Sequence, residues 1–423
     1  MTTTPDRVVV DPLHPFAGRR QRVRARLRTA STGLVGLSRR FRRRRPVPRP
    51  ALWYGLVAVV GTLLVIGLVM VLSASSVQAE QESGSTWTYF IRQSMWTVLG
   101  LGVAVFTARF DYRRWRRLVP VLMVVSLALL VLVLIPGFGV MVNGARSWLG
   151  RGSLRIQPAE FAKLALLLFS ADLLARRAHL MADTRVTLTP VLVVAGLTGG
   201  LMMLQPDLGS TIVLGTIAFS VLFVAGVPLA RLTVVFSAAG AAAVGLALSK
   251  AYRRDRLLQF LHPGKDPGNT GYQINQSLMG VASGHLLGVG LGESRAKWGF
   301  LPNAHTDFIF AIIAEELGLL GALFVVGLFL ALAWLGVRIA LAAPDRFGCL
   351  VAAGITAWLL MQAFVNIGGV VGLLPITGLT LPYISFGGSS LLVTMAATGI
   401  LLNIAQAGGH RRTRRPGKAP ASA

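Results

Sequence analysis

One carboxylate stands out because of its neighbours. Asp307 lies in the string LPNAHTDFIF of residues 301–310, two residues after His305 and directly before an apolar run. Thr306 is a residue type that caps helix N-termini, so we expect it to cap a helix that continues into that run. A carboxylate beside a histidine, downstream of glycines and Lys297, has the groups of a general base next to an anion site. The alternative is that Asp307 holds a divalent cation, for which Mg²⁺ or Mn²⁺ is expected.

A second polar patch combines the string NGARSWL at residues 143–149 with QPAEFAKL at residues 157–164. Pro158 suits the first turn of a helix. Glu160 and Lys163 are three residues apart, so they can pair on one helix face, either as part of a site or as a structural contact. Arg146 belongs to a loop without acidic residues, and arginine is a usual partner of phosphate oxygens.

Two further patches interrupt the apolar pattern. The string QPDLGS of residues 205–210 places Asp207 at a predicted helix N-terminus, where capping alone would explain it. Residues 372–390 combine two prolines and several glycines with Ser385 and Ser389. Such a segment cannot form an ordinary spanning helix, so we predict a broken or re-entrant segment enclosed by protein, or else a plain external loop.

Membrane helices must position these patches. Of 423 residues, 54% are hydrophobic and 14% charged, and the mean hydropathy is +0.64, which is too apolar for a soluble domain of this size. Apolar runs of the length that crosses a hydrocarbon core of ~30 Å recur along the chain. We predict about ten spans, centred near residues 62, 98, 127, 168, 196, 218, 241, 322, 359 and 398. The single Cys349 excludes an internal disulfide.

The net charge is +26, and the positions of the basic residues agree with this topology. Arginines concentrate in alternate connections between spans, as the positive-inside rule predicts, so the charge does not indicate nucleic acid. An even number of spans places both termini in the cytoplasm. Residues 1–50 and 409–423 are predicted as basic cytoplasmic tails, the first of them disordered, on either side of a membrane domain at 51–408. The four polar patches then face outward, and residues 250–306 form the longest external connection.

Five strings together resemble a known family: NGARSWL, QPAEFAKLAL, QPDLGS, LPNAHTDFIFAIIAEELG and LPITGLTLPYISFGGSSL. In this order they are similar to the shape, elongation, division and sporulation (SEDS) family over residues 52–408. The resemblance implies an all-α polytopic membrane fold of about ten transmembrane helices, with a large extracytoplasmic loop between helices 7 and 8. GLTLP at 378–382 is more similar to the division branch than to the elongation branch. The basic N-terminal extension is similar to that of actinobacterial members.

The resemblance also implies an activity: a peptidoglycan glycosyltransferase that polymerises lipid II at the outer face of the cytoplasmic membrane during septal wall synthesis. Lipid II is the undecaprenyl-pyrophosphate-linked disaccharide-peptide. The implied partners are a class B penicillin-binding protein transpeptidase, other division proteins and membrane lipids. Asp307 falls on the acid that is regarded as catalytic in the family. The other shared polar residues are expected to bind substrate: Arg146, Glu160, Lys163, Asp207, Lys297, His305, Ser385 and Ser389.

Three alternatives stay open. A lipid II flippase also needs broken helices and intramembrane charge, although the two halves of this chain show no matched pair of broken segments. An elongation polymerase would share the chemistry and differ in partner. A non-catalytic scaffold would use the same surfaces, and changes at the polar patches would then be silent.

Overall fold

The structure, a computed structural model, describes residues 49–142, 145–150, 155–180, 183–248 and 270–413. Within these ranges the chain consists of eleven α-helices, two short 3₁₀ turns and one β-hairpin, which confirms the predicted all-α polytopic class. The predicted tails lie outside the described residues, apart from residues 49–50 and 409–413. The helices are α1 (Arg49–Ser83), α2 (Thr88–Arg109), α3 (Trp115–Leu132), α4 (Pro158–Arg176), α5 (Thr184–Leu204), α6 (Leu208–Ala225), α7 (Leu229–Leu248), α8 (Thr270–Ser283), α9 (Ile309–Ala342), α10 (Arg346–Val370) and α11 (Gly388–Thr413).

Each of the ten predicted span centres lies within one of these helices, and α8 is an additional helix in the connection between α7 and α9. Eight of the described helices are long and apolar enough to cross a membrane. Helix α4 is not among them, because its 19 residues include Glu160, Lys163 and Asp172. The bundle buries all three side chains, so the charge of α4 is accommodated by protein contacts.

Arginines gather at one end of the bundle, which we call the basic end. Arg113 Nε lies 2.8 Å from Asp345 Oδ2, and Arg176 Nε lies 2.8 Å from Asp172 Oδ2. Arg116 also pairs with Asp172. These contacts bring together the connection between α2 and α3, the start of α3, the end of α4 and the start of α10. The charge pattern assigns all of these to one side of the membrane.

Helix α9 is broken at Gly318, whose φ of 67° and ψ of −169° are not helical. The nine residues before the break form a buried half-helix, whereas the part after it exposes apolar side chains such as Leu319 and Leu320. Backbone groups freed by the break bind the segment that follows α8. The four hydrogen bonds run from Val289 N–H to Glu315 O (3.0 Å), Gly290 N–H to Glu316 O (3.1 Å), Leu319 N–H to His285 O (2.9 Å) and Leu320 N–H to Leu286 O (3.2 Å). The missing helical turn is thus replaced by residues 285–290, which satisfies backbone groups that could not stay unpaired in lipid.

Residues 371–387, between α10 and α11, are not helical, and most of the second half of this segment is buried. Its backbone packs against the middle of α1, where a Cβ added to Gly67 would lie 2.6 Å from Tyr383 O and 2.8 Å from Ile384 Cα. Residues 371–387, which we call the re-entrant segment, therefore form the predicted break between two helices, and protein encloses most of their second half. Their depth in the membrane stays a prediction.

Candidate functional site

Asp307 lies in a turn, two residues before the first residue of α9. Its carboxylate is half-buried and faces the re-entrant segment, because a Cβ added to Gly378 would lie 3.7 Å from Asp307 Oδ2. Asp307 also lines a small cavity together with residues 365–370 of α10 and residues 376–379. Asp307 thus borders a small cavity whose wall includes the part of the re-entrant segment that its carboxylate faces.

The prediction that Thr306 caps α9 is wrong. The residue at the N-cap is Phe308, which makes no capping side-chain hydrogen bond. Thr306 Oγ1 instead donates to Asn303 O at 3.2 Å, and the N–H of Thr306 donates to the same carbonyl at 3.1 Å. The chain therefore turns over residues 303–308 before the helix begins, and Thr306 stabilises that turn.

Helix α10 contributes two buried amides that connect the polar patches. Asn366 Nδ2 donates to Asp307 O at 2.8 Å and to Leu379 O at 2.7 Å. One turn earlier, Gln362 Nε2 donates to Thr380 O at 3.0 Å. These two side chains tie the turn of Asp307 and the re-entrant segment to one helix.

Glu160 and Lys163 pair as their spacing predicts. Lys163 Nζ lies 2.8 Å from Glu160 Oε1 and donates to Gln362 Oε1 at 3.1 Å. The side chains are 0% and 3% exposed for Lys163 and Glu160 respectively. The ammonium also lies 5.3 Å from the centroid of the Trp358 ring. The positive charge of Lys163 is therefore compensated inside the protein by Glu160. Lys163 also binds Gln362, whose amide holds the re-entrant segment.

Asp207 caps α6, as predicted, by accepting a hydrogen bond from Ser210 N–H at 2.9 Å. Its other oxygen accepts from Gln157 Nε2 at 3.0 Å. The N–H of Gln157 donates to Ser389 Oγ at 3.2 Å, at the start of α11. The second, third and fifth of the five strings are thus joined through hydrogen bonds at Gln157 and Gln362.

Ser385 and His305 also have internal partners. Ser385 Oγ donates to Thr306 O at 2.6 Å and accepts from Leu381 N–H at 2.8 Å. The His305 ring packs against Tyr89, with ring centroids 4.6 Å apart, and against Phe386 at 5.6 Å. Burial lowers the pKa of His305 to about 4, so its imidazole is neutral at pH 7.

The two predicted cations Lys297 and Arg146 differ in their surroundings. Lys297 is buried, donates to Gly292 O, and has its Nζ 3.9 Å from Glu316 Oε1. Arg146 lies half-buried on strand β2 (Ala145–Leu149), which pairs with β1 (Gly139–Val142). No ion pair or hydrogen bond links its guanidinium to another residue of the described ranges. Arg146 is thus the better placed of the two to meet an external anion.

A divalent cation would find few ligands in the described part of the chain. Those residues contain no group of three or more His, Cys, Asp and Glu side chains that could hold a metal ion. Mg²⁺ is commonly held by one or two carboxylates together with substrate phosphates. Mg²⁺ or Mn²⁺ therefore fits Asp307 only as an ion shared with the phosphates of a substrate, and it stays a prediction.

The chain was then compared with known proteins. Residues 54–409 match the family described as cell cycle protein, which comprises FtsW, RodA and SpoVE. The chain belongs to the FtsW/RodA/SpoVE family. Stage V sporulation protein E of Bacillus subtilis (strain 168) is 44% identical over 352 residues, which are 83% of this chain and 96% of that protein. The probable peptidoglycan glycosyltransferase FtsW of Mycobacterium tuberculosis (strain ATCC 25618 / H37Rv) is 43% identical over 370 residues, 86% of this chain and 71% of that protein.

Solved structures of family members share the fold. A chain in a peptidoglycan synthase complex, described as structural coordination of polymerization and crosslinking, superposes with a TM-score of 0.70 at 34% identity. That match covers 84% of this chain and 98% of the other. The rod shape determining protein RodA of Thermus thermophilus gives a TM-score of 0.60 at 32% identity, covering 84% and 96%. The SEDS resemblance read from the five strings is confirmed.

Sequence reasoning missed the residues of α10 that connect the family's strings. Gln362 and Asn366 are four residues apart, and Trp358 lies four residues before Gln362, so the three share one face of the helix. Two buried amides at this spacing in an otherwise apolar span were the available signal, because polar groups at membrane depth need partners.

Proposed function

We propose that this peptidoglycan glycosyltransferase polymerises lipid II into glycan strands at the outer face of the cytoplasmic membrane, with Asp307 as the general base. The observation that carries the proposal is the position of Asp307. Its half-buried carboxylate lines a cavity formed by α10 and by residues 376–379 of the re-entrant segment. Asp307 is the predicted base, and we infer that the acceptor hydroxyl reaches its carboxylate from the side of this cavity.

The proposed reaction is a single displacement. Asp307 removes the proton from a hydroxyl of the acceptor sugar, and the oxygen forms a bond to the anomeric carbon of the donor. The bond between that carbon and the diphosphate oxygen breaks, and the lipid diphosphate leaves with the electron pair. Positioned bases contribute typically about 10²–10⁴-fold to such steps. The carboxylate returns its proton to water before the next addition.

The departing diphosphate needs compensation for its negative charge. Arg146 is our candidate for this role, because its guanidinium is half-buried on the hairpin and is not paired with another described residue. Lys163 and Lys297 are buried and bonded internally, so we assign them to holding the site together. A Mg²⁺ or Mn²⁺ ion shared between Asp307 and the diphosphate, when bound, would supply further charge neutralisation.

We assign the protein to the division septum, with both termini in the cytoplasm. The arginines at the basic end support this orientation through the positive-inside rule. The similarity to proteins named FtsW supports the division branch. Similarity to a chain of a complex that coordinates polymerization with crosslinking supports a class B penicillin-binding protein as the partner. Other division proteins and membrane lipids complete the proposed set of partners.

The proposal is tested by reconstituting the full chain with its class B partner in liposomes that contain lipid II and a divalent cation. Wild type, Asp307→Asn and Asp111→Asn are compared by separating the glycan products on a gel. Asp111 is exposed and lies at the basic end, so it is a matched control for the loss of one carboxylate. We expect glycan ladders from wild type and from Asp111→Asn, and none from Asp307→Asn.

Two outcomes contradict the proposal. Ladders from Asp307→Asn at the wild-type rate would exclude Asp307 as the base. Absence of ladders from wild type, while labelled lipid II crosses the bilayer in the same liposomes, would instead favour the flippase.

A further inference from the structure

The proposed reaction leaves out Asn366, although this residue contacts the base. Asn366 is 5% exposed and lies near the end of α10. Its Nδ2 donates to the carbonyl of Asp307 at 2.8 Å and to the carbonyl of Leu379 at 2.7 Å. The Nδ2 group therefore joins the main chain of the base itself to the re-entrant segment, beside the hydrogen bonds from Ser385 Oγ to Thr306 O (2.6 Å) and from Phe386 N–H to His305 O (3.0 Å).

The orientation of the Asn366 amide follows from these partners. A carbonyl oxygen in the place of Nδ2 would face two other carbonyl oxygens without a proton between them, so the nitrogen must occupy this position. Oδ1 then points elsewhere and is buried, with no hydrogen-bond partner among the described residues. Asn366 also lines the cavity that Asp307 lines. Both hydrogen atoms of the amide thus bind main-chain carbonyl groups, and Asn366 borders the cavity beside Asp307.

The main chain around Asp307 needs such an external contact. Residues 303–308 form a turn outside α9, so the helix does not fix the position of Asp307. Gly378, in the re-entrant segment, has a φ of +73° and approaches Asp307 Oδ2 closely enough that an added Cβ would lie 3.7 Å away. Asn366 is hydrogen-bonded to Leu379, the residue directly after this glycine, and to Asp307 itself, so of the contacts between the turn and the segment it is the one that joins the base to the part of the segment facing its carboxylate.

We propose that Asn366 is a positioning residue that holds the Asp307 turn and the re-entrant segment together, so that the Asp307 carboxylate is aligned with the acceptor hydroxyl. The proposal rests on the proposed function, because it assigns Asn366 a task in that reaction. A positioning role affects the rate of the bound complex more than the binding of substrate, since a misplacement of about 1 Å can cost about 10²-fold in rate. A packing role would change stability and leave the bound complex unaffected.

The test compares two asparagines of the same chain. Asn366→Leu removes both donors at nearly constant volume. Asn403→Leu is the control, because Asn403 also joins two main-chain groups, accepting from Tyr112 N–H at 2.9 Å and donating to Ala108 O at 2.7 Å. These partners lie at the basic end. Turnover of lipid II is measured with the full chain and its class B partner in liposomes, over a range of lipid II densities, together with the melting temperature of each variant.

We expect Asn366→Leu to lower kcat by about ten- to a hundredfold with KM within about twofold of wild type, and Asn403→Leu to leave both within about twofold. If Asn366→Leu does not fold, Asn366→Thr replaces it, because threonine keeps one donor. We expect this variant also to lower kcat and to leave KM within about twofold of wild type. Equal kcat values for the Asn366 and Asn403 variants, or a higher KM with unchanged kcat, would overturn the positioning role. An inactive wild type would instead contradict the proposed function.

Discussion

Replacement of Lys163 tests whether the Glu160–Lys163 pair is a buried ion pair that holds the site together. The two side chains are 3% and 0% exposed, and Lys163 Nζ lies 2.8 Å from Glu160 Oε1. Oε2 of Glu160 is buried without a hydrogen-bond partner in the described part of the chain, so Lys163 is the main compensation for this carboxylate. Lys163→Met keeps the aliphatic volume and removes the positive charge.

The size of the effect follows from burial. Removing one partner of a buried pair leaves an uncompensated charge and typically costs about 3–5 kcal/mol, whereas replacing both partners with neutral residues is often nearly neutral. The amide of Gln362 also loses one of its donors, although Trp358 Nε1 still donates to Gln362 Oε1 at 2.9 Å. We therefore expect Lys163→Met to lower the free energy of unfolding by about 3–5 kcal/mol, and Glu160→Gln in the same chain to restore most of it.

The assay is a double-mutant cycle on the free energy of unfolding in detergent micelles, with wild type, the two single variants and the double variant. Gln78→Met is the control, because Gln78 hydrogen-bonds Glu82 in an exposed pair on α1 and should give a change below about 1 kcal/mol. A loss below about 1 kcal/mol for Lys163→Met, or a double variant less stable than both single variants, would refute the buried ion pair.

Three further predictions concern single positions. Gly67→Ala should lower both stability and activity, because its Cβ would meet Tyr383 O at 2.6 Å, whereas Gly61→Ala, with open space around it, should match wild type in melting temperature and turnover. Gly288→Ala should weaken the hydrogen bonds between residues 285–290 and the break in α9, because its Cβ would lie 2.1 Å from Glu316 O at a φ of +81°. Gly292→Ala is the control, because Gly292 also has a positive φ but no such contact. Hydrogen exchange at residues 285–290 should therefore increase more in Gly288→Ala than in Gly292→Ala. Burial lowers the pKa of His305 to about 4 from 6.5, so its contribution to the free energy of unfolding is fully present above pH 6.5 and falls by roughly 3 kcal/mol as the pH drops to 4. In unfolding titrations this dependence should disappear in His305→Phe, and an unchanged slope would contradict it.

Features that depend on neighbouring residues in the chain could be predicted from the sequence. Hydropathy predicted a span within each of ten helices in the described part of the chain, because a run of about 20 apolar residues is required to cross the membrane. Spacing alone predicted the Glu160–Lys163 pair, the cap at Asp207 and Pro158 in the first turn of α4, and each is confirmed. These are contacts within one helix, and the sequence contains both partners at a fixed separation.

Features that depend on tertiary contacts could not be predicted. The apolar run after Asp307 gave no local sign of the break at Gly318, although its helix of 34 residues exceeds the length a span requires. The break is stable because residues 285–290 supply the missing hydrogen bonds, and no local pattern specifies that partner. For the same reason Asn366 was missed: its partners are 59 and 13 residues away in the chain.

The role of Asp307 as the general base is best tested by the single-turnover rate of glycan formation by Asp307→Asn in complex with the class B partner, with lipid II binding measured on the same sample. We expect a rate about 10²–10⁴-fold below wild type with binding unchanged, because asparagine keeps the size of the side chain and cannot take up the proton. A rate within about tenfold of wild type, at equal binding, would contradict the assignment of Asp307 as the general base.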